Sequence, residues 1–213
     1  MRILSLASVV LVTSLASSAF AQDREDPWYL TFAAGAAFPA EVDTNPTGTV
    51  SYDTGIATSL AVGRWLSDSD SLDVAAELEA FYAFARLDDG DLDKFQAANS
   101  PRDAGNLAWF LNGILDWKLN PTFAWYGGAG IGYASGIELD TFDFGDLEQV
   151  DQDGLAFQAK LGARYHLGGS TDFLLGYRYY RTEDVQVDNI VTQASFDIEN
   201  QIHVVELGLR WGL

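Results

Sequence analysis

Cysteine is absent from this 213-residue chain, and methionine occurs once. Without cysteine there is no disulfide frame of the kind small exported folds use, and no thiolate to bind metal or act as a nucleophile. Histidine occurs only twice, so imidazole acid–base chemistry and histidine-rich metal sites have little to draw on. Basic residues are scarce as well: 12 Lys and Arg face 31 Asp and Glu, a net charge of −19. That balance excludes nucleic acid as a partner, because phosphate-backbone recognition requires a basic footprint. Beyond residue 21 no stretch approaches the roughly 20 apolar residues of a spanning helix. What is present is the reverse of a disordered composition, with 48% apolar residues and 13% aromatic ones. A chain this apolar, with no spanning helix, can enter a membrane only as a closed barrel.

The first 21 residues read as a secretory signal peptide. Met1-Arg2 supplies the positive start, Ile3 to Leu15 the apolar middle, and Ala19-Phe20-Ala21 the small-residue cleavage end. Cleavage after Ala21 leaves 22–213 as a single domain. With no cysteine at the junction, a lipid anchor is not expected. Arg2 departs with the leader, so one fewer than 12 basic residues remains and the net charge becomes about −20.

Period two, not 3.6, organises the rest. Eight segments alternate in this way: 28–38, 55–65, 72–84, 106–118, 123–134, 155–167, 171–182 and 202–213. In the sixth, Leu155, Phe157, Ala159, Leu161, Ala163, Tyr165 and Leu167 share one face. Ala156, Gln158, Lys160, Gly162, Arg164 and His166 share the other. Segments of about ten residues with this dyad repeat are the signature of membrane barrels. The prediction is an all-β fold, an eight-stranded antiparallel up-and-down transmembrane β-barrel. Long connections at 39–54, 85–105, 135–154 and 183–201 alternate with short ones at 66–71, 119–122 and 168–170. Outer-membrane barrels have short periplasmic turns and long extracellular loops, whereas a soluble barrel has no reason to gather its long loops at one end.

Aromatic residues follow the same division. Trp28, Trp65, Trp117, Trp125 and Trp211 fall beside the short turns or the termini. Phe38, Tyr82, Phe84, Trp109, Tyr133, Tyr177 and Tyr179 fall at the opposite strand ends. Two aromatic belts are expected where a barrel crosses the two interfaces. Strict alternation points Trp65 inward, which calls for a bulge or an earlier end to that strand.

Inward parity collects the acids Asp73, Glu77, Glu79, Asp116, Asp172 and Glu206 with the bases Lys118, Lys160, Arg164, Arg178 and Arg210. Near balance inside an acidic chain predicts an ion-pair network, because a small eight-stranded barrel is filled by side chains. With tilt ignored, Glu77, Glu79, Lys160, Arg178 and Glu206 form a middle tier. The others form a tier nearer the periplasm, and Lys160 is expected to pair with Glu77 or Glu206.

The last segment carries Glu206, Gly208, Trp211 and Leu213 in the spacing polar-x-Gly-x-x-aromatic-x-aromatic, with Leu213 in place of the usual terminal aromatic. This resembles the C-terminal assembly signal of bacterial outer-membrane barrels. With Gly176-Tyr177-Arg178-Tyr179-Tyr180, the chain is similar to the small outer-membrane barrel superfamily, which includes the opacity-type, OmpX-like, OmpW-like and OmpA transmembrane domains. The resemblance implies an outer-membrane location, the barrel assembly machinery as a partner, and a bilayer of phospholipid and lipopolysaccharide around a monomer. It also raises lipid A enzymes, some of which are barrels of this size. Deacylase barrels hold a His-x-Ser pair on the lipid-facing parity, but here His203 is followed by Val204-Val205. His166 faces inward and reads as a structural partner. No nucleophile–base–orienter set can be assembled, so no catalytic residue is assigned and the chain is read as not an enzyme. No cofactor and no metal site are assigned. The acidic runs at 88–93 and 151–154 leave divalent cations as partners of the loops, although neither matches the twelve-residue calcium loop. The leading function is a non-enzymatic envelope and surface-interaction barrel. The alternatives are a narrow porin or small-solute transporter, cation-preferring or OmpW-like, and then a lipid A-modifying enzyme.

Overall fold

Successive side chains of a β-strand point to opposite faces, so a dyad repeat with one large apolar face must have apolar surroundings on that face. The computed structural model describes residues 27–40, 42–44, 48–50, 53–86, 103–139, 151–183, 185–189, 194–198 and 201–213. The leader, with Ala19 and Ala21, and the acidic run at 88–93 lie outside the described residues, as do the side chains of Asp151 and Asp153. Twelve strands are described: β1 Trp28–Pro39, β2 Val42–Thr44, β3 Gly48–Val50, β4 Gly55–Trp65, β5 Leu72–Arg86, β6 Asp103–Lys118, β7 Phe123–Leu139, β8 Asp151–Gly168, β9 Thr171–Thr182, β10 Val185–Asn189, β11 Ala194–Ile198 and β12 Gln201–Gly212. Eight of them close into an antiparallel barrel in the order β1-β12-β9-β8-β7-β6-β5-β4.

Two of the long connections contain ribbons, β2–β3 and β10–β11, where the sequence suggested only loops. In the other two, β5 pairs with β6 out to Arg86 and Asp103, and β7 with β8 out to Glu138 and Asp151. Backbone groups at a loop base still need partners, so the strands continue past the point where side-chain alternation marks them. Register shifts lie between Gly105 and Leu107 and between Ala134 and Ile137. The short turns are tightly made. Asn120 Oδ1 accepts the backbone N–H groups of Thr122 (2.9 Å) and Phe123 (2.8 Å), and Gly168 and Gly169 supply positive φ values of 113° and 62°.

Every barrel strand exposes large apolar side chains outward; Leu107, Trp109, Leu111, Leu115 and Trp117 on β6 are typical. The alternate residues Asn106, Ala108, Phe110, Asn112, Ile114 and Asp116 are buried in the lumen. A continuous apolar wall of this kind is lipid-facing. Trp117 and Trp109 on β6, and Trp125 and Tyr133 on β7, are exposed at opposite ends of the wall. Eight residues separate each pair, which is roughly 20 Å along the normal at ~3.3 Å rise and ~40° tilt. Trp28, Phe38 and Tyr82 are likewise exposed toward the strand ends, with Trp211 and Tyr179 half-buried, whereas Tyr177 is exposed in the middle of β9, paired with Leu161.

Trp65 corrects the sequence reading. β4 runs to Trp65 without a register shift, and the indole turns inward, 8% exposed, against Tyr29 at 5.1 Å between ring centroids. It belongs to the lumen floor, not to the belt. The void at the periplasmic mouth is wide enough for two rings because Gly63, opposite Tyr29, has no Cβ to obstruct it.

One circuit of paired residues, Tyr29–Gly63–Glu77–Asn112–Gly130–Gln158–Tyr180–Ile202, returns to β1 at Pro39, ten residues above its start. This stagger tilts the strands by about 40° and leaves an interior just wide enough for side chains. The glycines of β7 help fill it: Gly128, Gly130 and Gly132 leave the space that Ile114, Asn112 and Phe110 of β6 occupy.

Candidate functional site in the lumen

The eleven inward charges of the sequence reading all lie on lumen-facing positions. Arg178 of β9 is the centre, only 1% exposed. Its Nη2 donates to Glu79 Oε1 (2.8 Å) and to Ser59 Oγ (3.1 Å), and its Nη1 to Gln158 Oε1 (2.7 Å). Its Nε donates to Glu206 Oε2 (3.1 Å), and Nη2 lies 3.0 Å from the same oxygen. Glu79 Oε2 accepts from Asn112 (2.8 Å) and Gln158 (2.7 Å) and pairs with Lys160 Nζ at 2.7 Å. A carboxylate buried to this degree is stable only when its lone pairs are taken up, and here four side chains do so.

Below this node the chain of charges continues. Lys160 reaches Glu77 Oε2 at 3.5 Å, and Glu77 Oε1 accepts from the Tyr29 hydroxyl (2.9 Å) and Arg210 Nη2 (3.3 Å). Arg210 lies over the rings of Tyr29 (4.5 Å) and Trp65 (5.3 Å), and its Nη1 is 3.8 Å from Asp116. Asp116 accepts from Arg164 Nε (2.7 Å), Arg164 Nη1 lies 3.3 Å from Asp172, and Asp172 meets His166 Nδ1 at 2.8 Å. Lys118 makes a separate rim group with Asp73 (2.9 Å) and with Asp68 of the β4–β5 turn (3.1 Å).

The two-tier picture needs two corrections. Arg210 joins the tiers, contacting Glu77 in one and Asp116 in the other. Lys160 pairs with Glu77 and Glu79, while Glu206 belongs to Arg178. The stagger of ten residues is the reason, since residues level in a flat drawing are displaced along the axis in the closed barrel.

Above the charges lies an apolar layer that the sequence reading did not single out. Phe81, Phe110 and Tyr180 pack with Ala37, Ala57, Ala83, Ala108, Ala134, Ala156, Ile202 and Val204. Phe81 and Tyr180 are 5.2 Å apart, Phe110 meets Tyr180 edge-on at 5.9 Å, and Asn106 donates to the Tyr180 hydroxyl at 2.6 Å. Arg178 sits 4.6 Å beneath the Phe81 ring, a cation–π contact joining the two layers. The inward Phe81, Phe110 and Tyr180 could have been found from parity alone; they were obscured because they are aromatic, as the belts are. One cavity among the charged side chains, lined by Glu77, Glu79, Lys160 and Arg178, has a volume of about 20 Å³, room for about one water. Among the described residues, no group of three or more His, Asp and Glu is arranged to hold a metal ion.

A closed barrel with a lipid-facing apolar wall and a filled lumen is the architecture of a small integral outer-membrane protein. The chain matches the outer membrane protein beta-barrel domain over residues 7–209 and belongs to that family, which places it in the bacterial outer membrane. No curated protein sequence matches it. Its fold is similar to that of Neisserial surface protein A (NspA), with 15% identity, a TM-score of 0.54, and 88% of this chain and 97% of that one covered. It is equally similar to the outer membrane protein AlkL in lipid bilayers, with 20% identity, a TM-score of 0.54, and coverage of 92% and 94%. The outer membrane enzyme PagL is more distant, with 13% identity, a TM-score of 0.44, and coverage of 87% and 99%.

At the seam, Gly212 N–H donates to Ser170 O (2.8 Å) and Leu213 N–H to Trp28 O (3.0 Å), and Trp211 pairs with Leu30 and Thr171. Removing Trp211–Leu213 strips the pairing partners from the periplasmic ends of the two neighbouring strands and leaves the closing seam of the barrel with unpaired edges. The truncated chain is expected to lose assembly, read as loss of the heat-modifiable folded band in outer-membrane fractions. Normal insertion would show that these residues carry no assembly information.

Proposed function

We propose that this protein is a non-enzymatic, closed outer-membrane barrel whose body reinforces the envelope and whose long acidic connections meet the exterior. The observation that carries this reading is the double obstruction of the lumen. An ion-paired layer centred on Arg178 lies under an apolar layer of Phe81, Phe110 and Tyr180. A hydrated ion crossing the barrel would have to separate buried pairs and then pass an apolar constriction, each step costing several kcal/mol. A non-catalytic role is supported by the residues around His203, where Val205 stands at the position a nucleophilic serine would need.

Planar-bilayer recording tests this. The native protein is expected to show no large steady conductance, and Phe81→Ala with Phe110→Ala to raise the frequency of brief openings. A large steady conductance from the unmutated protein would overturn the closed reading and favour a narrow porin.

A further inference from the structure

Four lumen-facing residues lie in one paired row around the barrel: Tyr126 on β7, Gly162 on β8, Gly176 on β9 and Glu206 on β12. The Tyr126 ring lies across both glycines, and its hydroxyl takes the place that a side chain at Gly176 would need. A Cβ at either position would meet the phenol, so the two glycines let a buried tyrosine of β7 reach toward β12. Glu206 Cγ borders the same space. The Tyr29 hydroxyl donates to Glu77 at 2.9 Å, whereas that of Tyr126 makes no direct hydrogen bond among the described residues. A buried tyrosine hydroxyl normally has a partner.

The cavity of about 20 Å³ described above also has Tyr126, Ala33, Glu206 and Arg210 in its lining. Hydrogen-bonding capacity is left over at its walls. Lys160 Nζ carries three protons but has two carboxylate contacts, at 2.7 and 3.5 Å. Arg210 Nη1 is buried with no hydrogen-bond partner and stands 3.8 Å from Asp116. Among the described residues Glu206 accepts from Arg178 alone, which leaves lone pairs on its oxygens. The charged groups around the cavity balance, Lys160, Arg178 and Arg210 against Glu77, Glu79 and Glu206. An ion of either sign would upset that balance, and a neutral molecule would not. A hollow of one-water size with spare donors and acceptors is what an ordered water requires.

We infer that one water molecule is bound in this cavity and ties Tyr126 into the ion-pair network. It accepts from the Tyr126 hydroxyl and from Lys160 or Arg210, and it donates to Glu206. The site follows from the cavity and its lining and does not depend on whether the lumen passes ions. Oxygen-17 relaxation dispersion of the folded full-length protein in phosphocholine micelles tests it, because the method counts long-lived whole waters and ignores exchanging hydroxyl protons. Ala33→Val, which fills the space with methyl groups, is expected to hold about one such water fewer than the wild type. Tyr126→Phe, which deletes only the hydroxyl, should lose the same water or release it at least about tenfold faster, and it decides the matter if Ala33→Val does not fold. Tyr29→Phe should match the wild type, since the Tyr29 hydroxyl bonds Glu77 directly. An unchanged count and residence time in Tyr126→Phe, or the same loss in Tyr29→Phe, would overturn the site. Chloride-35 line broadening present in the wild type and absent in Tyr126→Phe would make the occupant an anion and overturn it equally.

Discussion

Arg178→Met is expected to cost the folded barrel about 3–5 kcal/mol, the usual consequence of removing one half of a buried ion pair. The guanidinium is buried and holds both oxygens of Glu206 (3.0–3.3 Å) as well as Glu79 Oε1 at 2.8 Å. Without it, Glu79 still has Lys160, Asn112 and Gln158, but Glu206 loses the cation that neutralises it. Glu206→Gln in the Arg178→Met background should therefore recover part of the loss, and Glu79→Gln should recover less. Lys160→Ala should cost less than Arg178→Met, because Glu77 keeps Arg210 and Tyr29, and Glu79 keeps Arg178. Urea midpoints in phospholipid vesicles, read from the folded and unfolded gel bands, give the comparison. Equal losses for Lys160→Ala and Arg178→Met would mean that the network has no such centre.

Leu161→Arg should impair insertion by about 2–4 kcal/mol, the cost of a cation on a barrel wall near the bilayer midplane. Leu161 is 62% exposed, outward-facing and in the middle of β8. Leu167→Arg, on the same face and 57% exposed but at the periplasmic turn, should cost about 0–1 kcal/mol, since a long side chain there reaches the interface. Exposure is nearly the same at the two positions, so depth in the lipid is the variable. Folding yields in vesicles that fell equally for both would show that the wall does not face hydrocarbon. The inward side of the same strand offers no neutral control, because Gln158 is wedged between Glu79, Asn112 and Arg178. An arginine there would set a second cation against Arg178.

Much of this architecture is legible in local sequence because the dyad repeat is a local property. Leu155 to Leu167 on one parity and Ala156 to His166 on the other already separate wall from lumen, and Asn120 and Gly168-Gly169 already mark tight turns. Trp65 shows where the reading strays. Its parity was right, but tryptophan at a strand end suggested a belt, and nothing local reveals that Gly63 leaves the room Tyr29 needs beside it. The apolar lid was hidden for a similar reason. Phe81, Phe110 and Tyr180 lie on three strands far apart in the chain, and only the closed barrel stacks them into one layer.

The sequence by itself determined that there would be eight crossing strands, which side chains of each would face lipid, and which connections would be short. Those features depend on residues within a few positions of one another. Tertiary structure alone decided the partners: Lys160 with Glu79 and not Glu206, Arg210 between two groups of acids, and Tyr177 with His203 on the wall. Partner choice is set by the ten-residue stagger accumulated around the barrel, a property of closure that no single strand encodes.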